Sequence, residues 1–383
     1  MAATGIAPAP DQSAANTSPA PAPLVPFTRA SREHTELFFD SGNVLAGVEL
    51  PPTDIPAYGF LRGVIVDVTI TSATNAATVA TQEDAPFNVI LSQGINDVNS
   101  TPVNGPYPGI TAYIADKLSG SRGPLDPKLI VGYTPILTGS GATAGSGHFQ
   151  YRIPIEAIAR TGLGALANAN SSTTYKMRCS INSLANIFTT PPTNAPTFRV
   201  KYYLEAWSVP ADHDWRGRPQ QQLPPGNGTT NYWSHYWFSN LAVGGNTIRL
   251  PRVGNYLRNI VLVFRTAAVN GRAAAEAAGL PDPINIFVDT RLWHQQNPML
   301  NRRYEAERCG TISTVMDAAG APLNGVVFFD GMHEFTGRLG METADGWLPT
   351  LQSTRLEIQC VSAFAGSVEI LTNDVAPPAS AAM

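Results

Sequence analysis

The sequence predicts an all-β protein built from two similar β domains in tandem, and three observations carry that expectation. Gly59 to Thr71 (GFLRGVIVDVTIT) recurs as Asn255 to Thr266 (NYLRNIVLVFRT), so that Leu61-Arg62 matches Leu257-Arg258 about half of the 383-residue chain later. Each copy is approached by a Leu-Pro pair, Leu50-Pro51 and Leu250-Pro251, so an entering segment, a turn and a long strand recur together. The 32 prolines, 33 glycines and 14% charged residues describe short strands joined by turns and long loops, with few exposed helices. A repeat this long is not a solenoid unit, and each half is large enough to hold its own core. Chance likeness between two apolar strands is the competing account.

Taken in order, residues 1–36 read as a flexible N-terminal arm. Residues 1–27 are rich in Ala, Pro, Ser and Thr, and bury too little apolar surface to offset the entropy of ordering. Arg29, Arg32 and His34 close the arm and Leu37-Phe38-Phe39 follows, a polar-then-apolar order suited to docking on a neighbour. A frayed terminus is the plainer alternative.

The first domain is expected over 37–210. Val64, Val66, Val68 and Ile70 alternate with Ile65, Asp67, Thr69 and Thr71, a strand that begins buried on both faces and ends with one polar face. Phe87 to Leu91 is a further strand. The proline- and glycine-rich stretch from there to Gly147 reads as long loop, of the kind that serves interactions. His148 to Pro154 alternates as a strand, and Ile155 to Asn168 carries Ile155, Ile158, Ala159 and Leu163 at helical spacing. Tyr175 to Ile181 and Phe198 to Trp207 close the domain.

The polar, proline-rich segment within 211–230 reads as the connection between halves. The second domain, 231–373, repeats the plan with strands at Asn231–Leu241, Thr247–Leu250, Tyr256–Thr266 and Ile284–Asp289, and later at Gly325–Asp330, Phe335–Met341, Arg355–Val361 and Ser367–Leu371. Its helix is expected at Arg291 to Arg308, with Pro298 either kinking it or starting a second one. Residues 374–383 form a short tail.

The chemistry-bearing residues exclude more than they support. A net charge of −4 offers no basic field for coating nucleic acid, and no sequence-specific nucleic-acid binding is expected. Cys179, Cys309 and Cys360 fit neither a disulfide framework nor a CxxC metal site, and read as buried thiols of a reducing cytoplasm. With no signal-peptide pattern and no run of about 18 apolar residues, the expected product is a soluble chain. Gly139, Gly141, Gly145 and Gly147 lack the lysine and helix of a phosphate loop. His213, Asp214 and His235 lack metal-site spacing, and read as surface polar residues. Neither a GxSxG elbow nor an HExxH helix is present, and no cofactor is expected. Glu305, Glu307, Asp330 and Glu334 could form a glycosidase pair, with Tyr232, Trp233, Tyr236 and Trp237 stacking on sugar; packing at a domain or subunit contact is the other account of these aromatics. Arg302 and Arg303, with Arg308 beyond, form a basic cluster on the expected helix, and neighbouring Glu305 and Glu307 point to ion pairs within the helix or between subunits.

Three stretches carry a family resemblance. GFLRGVIVDVTIT resembles the long strand near the start of the first barrel in the double jelly-roll major capsid proteins of tectivirus-type bacteriophages, which are tailless with an internal membrane. HFQYRIPIEAIARTGLGALANANSSTTYKMRCSI resembles the strand, helix and return strand of that barrel. RLWHQQNPMLNRRYEAER with LNGVVFFDGMHE resembles the arginine-bearing helix and following strand of the second.

The resemblance implies an all-β fold of two tandem eight-stranded jelly-roll barrels with a short flank helix in each. It also implies homotrimers of pseudo-hexagonal outline that tile an icosahedral virion shell beside penton and minor capsid proteins, after synthesis in the host cytoplasm. Residues 1–36 would lie inside, with Arg29 and Arg32 nearest to internal membrane lipid or a neighbouring subunit, and no catalytic residue is implied. The alternative from the residues alone is a carbohydrate-binding or glycoside-hydrolysing two-domain β-sandwich protein. A spike or penton component is disfavoured by the duplication.

Overall fold

The computed structural model describes residues 24–71, 79–118, 146–230, 232–266, 280–301, 303, 325–330 and 347–376. The first half contributes β1 (Glu33–Asp40), β2 (Thr53–Asp54), β3 (Phe60–Thr71), β4 (Ile90–Asn96), β5 (Pro102–Tyr107), β6 (Ser146–Pro154), β7 (Lys176–Ile181) and β8 (Thr197–Trp207). The second contributes β9 (Tyr232–Leu241), β10 (Gly244–Leu250), β11 (Tyr256–Thr266), β12 (Ile284–Val288), β13 (Arg291–Gln296), β14 (Val326–Asp330), β15 (Leu356–Ser362) and β16 (Gly366–Val375). Among the described residues the α-helical pieces are α1 (Phe27–Ala30), α2 (Gly109–Leu118), α3 (Leu184–Ile187) and a turn at 298–301.

The strand order is the same in both halves. In the first, β1-β8-β3-β6 faces β2-β7-β4-β5; in the second, β9-β16-β11-β14 faces β10-β15-β12-β13. That is the pairing of a jelly roll, two Greek keys folded face to face, and the chain forms it twice. The correspondence reaches single residues: Cys179 pairs with Gln93 in β4, and Cys360 pairs with Ile284 in β12, the same ladder position in each barrel. Burial pushes their thiols up, to about 12 for Cys179 and about 11 for Cys360.

The recurring stretch forms β3 and β11, the third strand of each barrel, and both copies bulge at the shared arginine. Leu61 and Gly63 pair with adjacent residues Ala206 and Glu205, so Arg62 is the extra residue; Leu257 and Asn259 pair with Asp374 and Asn373, so Arg258 is. Gly59 precedes β3 at φ +42°, and a Cβ there would collide with the Trp207 carbonyl, which fixes glycine at that entry.

The barrels share one sheet. β5 of the first meets β9 of the second in parallel at Asn104 and Ser234, which makes a continuous sheet in the order β14-β11-β16-β9-β5-β4-β7-β2. Val64, Val66, Val68 and Ile70 of β3 enter the first core, which also draws in Val261, Val263, Val326, Phe328 and Leu371 from the second half. Ile260, Leu262 and Phe264 on the opposite face of β11 fill the second core with Ile284, Ile286, Leu356 and Ile358. The expectation of a separate core for each half is therefore corrected: the first core crosses the boundary.

Other expectations need correcting too. Ile155 to Asn168 is not helical; Gly162 (φ +79°) and Gly164 (φ +93°) turn the chain back, and Leu166–Ala167 pairs with the start of β3. The helix of this barrel is α2, in a stretch read as loop, and Asp116 on it accepts the Arg152 N–H of edge strand β6 at 3.1 Å. Arg291–Gln296, expected as helix, is strand β13, and the helical turn begins only at Pro298. Phe87–Val89 is a 3-10 turn leading into β4. The arm expected over 1–36 is docked from residue 24 and already in β1 from Glu33, while β16 runs through Asp374, expected in the tail, to Val375. Phe335–Met341 lies outside the described residues.

Candidate functional site

Two places concentrate polar side chains in buried surroundings. The first lies beside the Arg62 bulge. Arg62 Nε donates to Glu156 Oε2 at 2.8 Å, its Nη1 lies 3.0 Å from Glu33, and its guanidinium lies 4.0 Å from the Trp207 ring centroid. Trp207 donates to the other Glu156 oxygen at 3.0 Å, and Arg152 bonds Glu205 and reaches to 3.9 Å from Glu156. Glu156 is fully buried, and two arginines and an indole N–H surround it, the partners that a carboxylate in such a place needs. Burial works against the Arg152 charge, but the Glu205 and Glu156 carboxylates outweigh it and hold its pKa above the usual arginine value.

Beneath this cluster, Phe27 of α1 plugs the barrel. It is buried edge-on against Phe60 (5.2 Å) and Trp207 (6.2 Å). The segment between the barrels holds it there: Val25 N–H donates to Pro219 O (3.0 Å) and Gln221 N–H to Val25 O (2.9 Å). Trp215, 85% exposed, carries Arg216 over its ring at 4.3 Å beside this clasp.

The second place is the seam between barrels. Arg265 of β11 spans it, 2.7 Å from Asp84 of the first half and 2.5 Å from Glu369 of β16. Thr111 of α2 donates to Glu369 at 3.2 Å. Burial and the neighbouring Glu369 carboxylate push the Tyr236 hydroxyl well above its usual pKa, keeping it neutral. At the other end of β11, beside the Arg258 bulge, Ser234 donates to Asn373 (2.6 Å) and Asn373 to Asn259 (2.6 Å), an uncharged network where the first barrel has arginine and glutamate.

The residues singled out from sequence are scattered. Arg29 is exposed at the end of α1, and Arg32 is exposed with its N–H on Ser208 Oγ at 2.9 Å; both line a groove of about 780 Å³ beside the clasp. His34 stacks on Tyr58 at 4.1 Å, 3.2 Å from Glu36. Arg303 is exposed after the Pro298 turn, while Arg302 and Arg308 lie outside the described residues, as do Glu305, Glu307 and Glu334. Asp330 pairs through its backbone with Asn259. Tyr232 is buried in the first core, Trp237 packs on the second, and Tyr236 lies in the seam, so these aromatics alternate between cores instead of lining one groove. Asp214 ties its own hairpin, accepting the Arg218 N–H at 2.8 Å and Nε at 2.7 Å. Among the described residues no three His, Cys, Asp or Glu side chains gather around a metal position.

Asp84, Thr111, Arg265 and Glu369 were not singled out from sequence. A signal existed in the repeat: Val263 and Arg265 stand where the first copy has Asp67 and Thr69.

No known family profile matches the sequence, and no curated protein does. Solved structures do. The major capsid protein of STIV, the Sulfolobus turreted icosahedral virus, superposes with a TM-score of 0.60 at 13% identity, over 92% of this chain and 100% of that one. A PBCV-1 virus capsid chain gives 0.57 at 10% identity, over 92% and 97%. The major capsid protein of bacteriophage PM2 gives 0.53 at 13% identity, over 92% and 100%. The likeness is one of fold and spans both barrels: the chain has the double jelly-roll fold of viral major capsid proteins.

Proposed function

We propose that this chain is a capsid-forming structural protein, without catalytic activity, that assembles as homotrimers of pseudo-hexagonal outline tiling an icosahedral shell. The observation that carries the proposal is the likeness to viral major capsid proteins over 92% of the chain, with both barrels included. Physical reasoning supports it. Two barrels of identical strand order present near-equivalent surfaces twice, and a ring of such chains offers evenly repeated corners. In this reading the shell surrounds an internal membrane, penton and minor capsid proteins complete it, and the protein is made in the host cytoplasm. Arg29 and Arg32, at the groove beside the clasp, face anionic lipid or a neighbouring subunit, and Arg302, Arg303 and Arg308 serve subunit contacts.

Light scattering after size exclusion tests the assembly. The expected mass is about 122 kDa, three times the 40.8 kDa chain, and it persists on dilution. A stable 40.8 kDa species would sink the proposal. For the lipid contact, Arg29→Glu with Arg32→Glu is expected to reduce co-sedimentation with phosphatidylserine vesicles; unchanged co-sedimentation would remove that role.

A further inference from the structure

The seam inside the chain has a second, unfilled copy at its two ends. Among the described residues β1 has a strand neighbour only on its β8 side, and β13 only on its β12 side. These are the counterparts of β9 and β5, the pair that joins the barrels. The arginine bulges align the sheets, Gly63 with Asn259 and Glu205 with Asn373, and through the ladders Thr35 corresponds to Ser234 and Leu37 to Tyr236. On the other side, Ile95 pairs with Met177 and Asn104 as Ile286 pairs with Ile358 and His294, so His294 corresponds to Asn104.

We infer that β13 of one chain docks in parallel beside β1 of a second copy, with His294 opposite Thr35, repeating between chains the Asn104–Ser234 junction found within the chain. The inference rests on the proposed self-assembly and names the surfaces that would carry it.

Three observations point to this occupant. The first is burial. Within the chain, the residues just after β5, Ile110 and Thr111, are 2% and 1% exposed, and Thr111 is bonded to Glu369 of the second barrel. Their counterparts after β13, Met299 and Leu300, are 82% and 49% exposed. The second is the receiving face: the row Tyr236, Leu371 and Val261 that meets the first barrel corresponds to Leu37, Tyr203 and Ile65 on the outer side of β1-β8-β3, where Leu37 is 45% exposed. The third is charge, because in this register exposed Arg291, which opens β13, lies toward the end of β1 that carries exposed Glu33, the carboxylate 3.0 Å from Arg62. Each contact is head-to-tail, so it leaves a free β1 and a free β13 until a ring closes.

The test uses the double variant Thr35→Cys/Leu292→Cys in the full chain, treated with a short bismaleimide and run on a denaturing gel. Covalent dimers and trimers are expected from the double variant, and monomers from wild type and each single variant. A double variant that stays monomeric on the gel, while light scattering shows about three times 40.8 kDa, would overturn this seam and leave the capsomer reading standing. A mass of 40.8 kDa for the wild type would overturn both. Independently, Met299→Glu/Leu300→Glu is expected to raise the concentration at which the assembly dissociates by about tenfold or more, from the loss of buried apolar contact; an unchanged dissociation point rejects the seam.

Discussion

β3 and β11 share one sequence pattern and one place in their barrels, and stand in different surroundings. Both bulge at an arginine, and both send alternate residues into their own barrel: Val64, Val66 and Val68 in one, Ile260, Leu262 and Phe264 in the other. Their second faces diverge. β3 turns Ile65, Asp67 and Thr69 away from its core, and Asp67 is held by His148 at 3.0 Å and by Gln150. β11 turns Val261, Val263 and Arg265 toward the first barrel, where the two valines join its core and Arg265 bridges to Asp84. The difference teaches which barrel leans on which within one chain: the copy that has valine where the other has aspartate is the one whose second face is covered.

Exchanging the divergent residues breaks the comparison most severely. Val263→Asp would bury a carboxylate directly across from Glu369, its β16 partner, and is expected to cost about 4 kcal/mol, read as a lower urea midpoint. The reverse exchange, Asp67→Val, loses only the His148 and Gln150 contacts and is expected to cost about 1 kcal/mol. Equal losses at the two sites would show that their surroundings do not differ as described.

The bulge networks offer a second contrast. Glu156→Gln strips the shared carboxylate from Arg62 and Arg152 and is expected to cost about 3 kcal/mol, whereas Ser234→Ala in the uncharged network is expected to cost about 1 kcal/mol. Salt sharpens this: both are buried, so added salt should change neither loss much, and a strong salt dependence for Glu156→Gln would place that cluster in solvent.

The smallest effect belongs to the surface of the first barrel. Arg199, bonded through Nε to Asp40 at 2.8 Å, holds the Asp40 carboxyl down at about 2. A carboxyl lowered by folding stabilises above its unfolded pKa and loses that contribution as pH falls through the folded value. The deficit of Asp40→Asn relative to wild type is therefore expected in full above about pH 5, shrinking as pH falls through about 2 and gone near pH 1, and small throughout because the pair is largely exposed. A deficit independent of pH would assign it to something other than the charge.

The repeat was legible because β3 and β11 are long and carry period-two patterns that survive without knowledge of partners. Asp67 and Thr69 even marked the polar face correctly. Ile155 to Asn168 misled because its apolar residues fill the barrel from irregular turns, and Gly162 and Gly164 break the helix their spacing imitates. Arg291–Gln296 is polar enough for an exposed helix; pairing with β12 through the tight turn at Asp289 and Thr290 makes it a strand, and no turn dipeptide such as Asn-Gly marks that hairpin. α2 sat between prolines and was passed over, although Ile110, Tyr113 and Ile114 hold helical spacing. The repeat marks Arg265 as a departure from Thr69, but its pairing with Asp84 was not legible, because nothing local says which face of a repeated strand will meet the other repeat.

The single sheet running from β14 through to β2 also bears on whether the two halves can exist apart. Val261, Val263 and Phe328 complete the hydrophobic interior of a barrel to which they do not topologically belong. A fragment that ended after β8 would lack those greasy residues, and one that began at β9 would turn them out to water. The smallest piece of this chain with a finished interior is therefore the pair of barrels, and a fragment carrying the first half by itself is expected to be sticky and loosely packed.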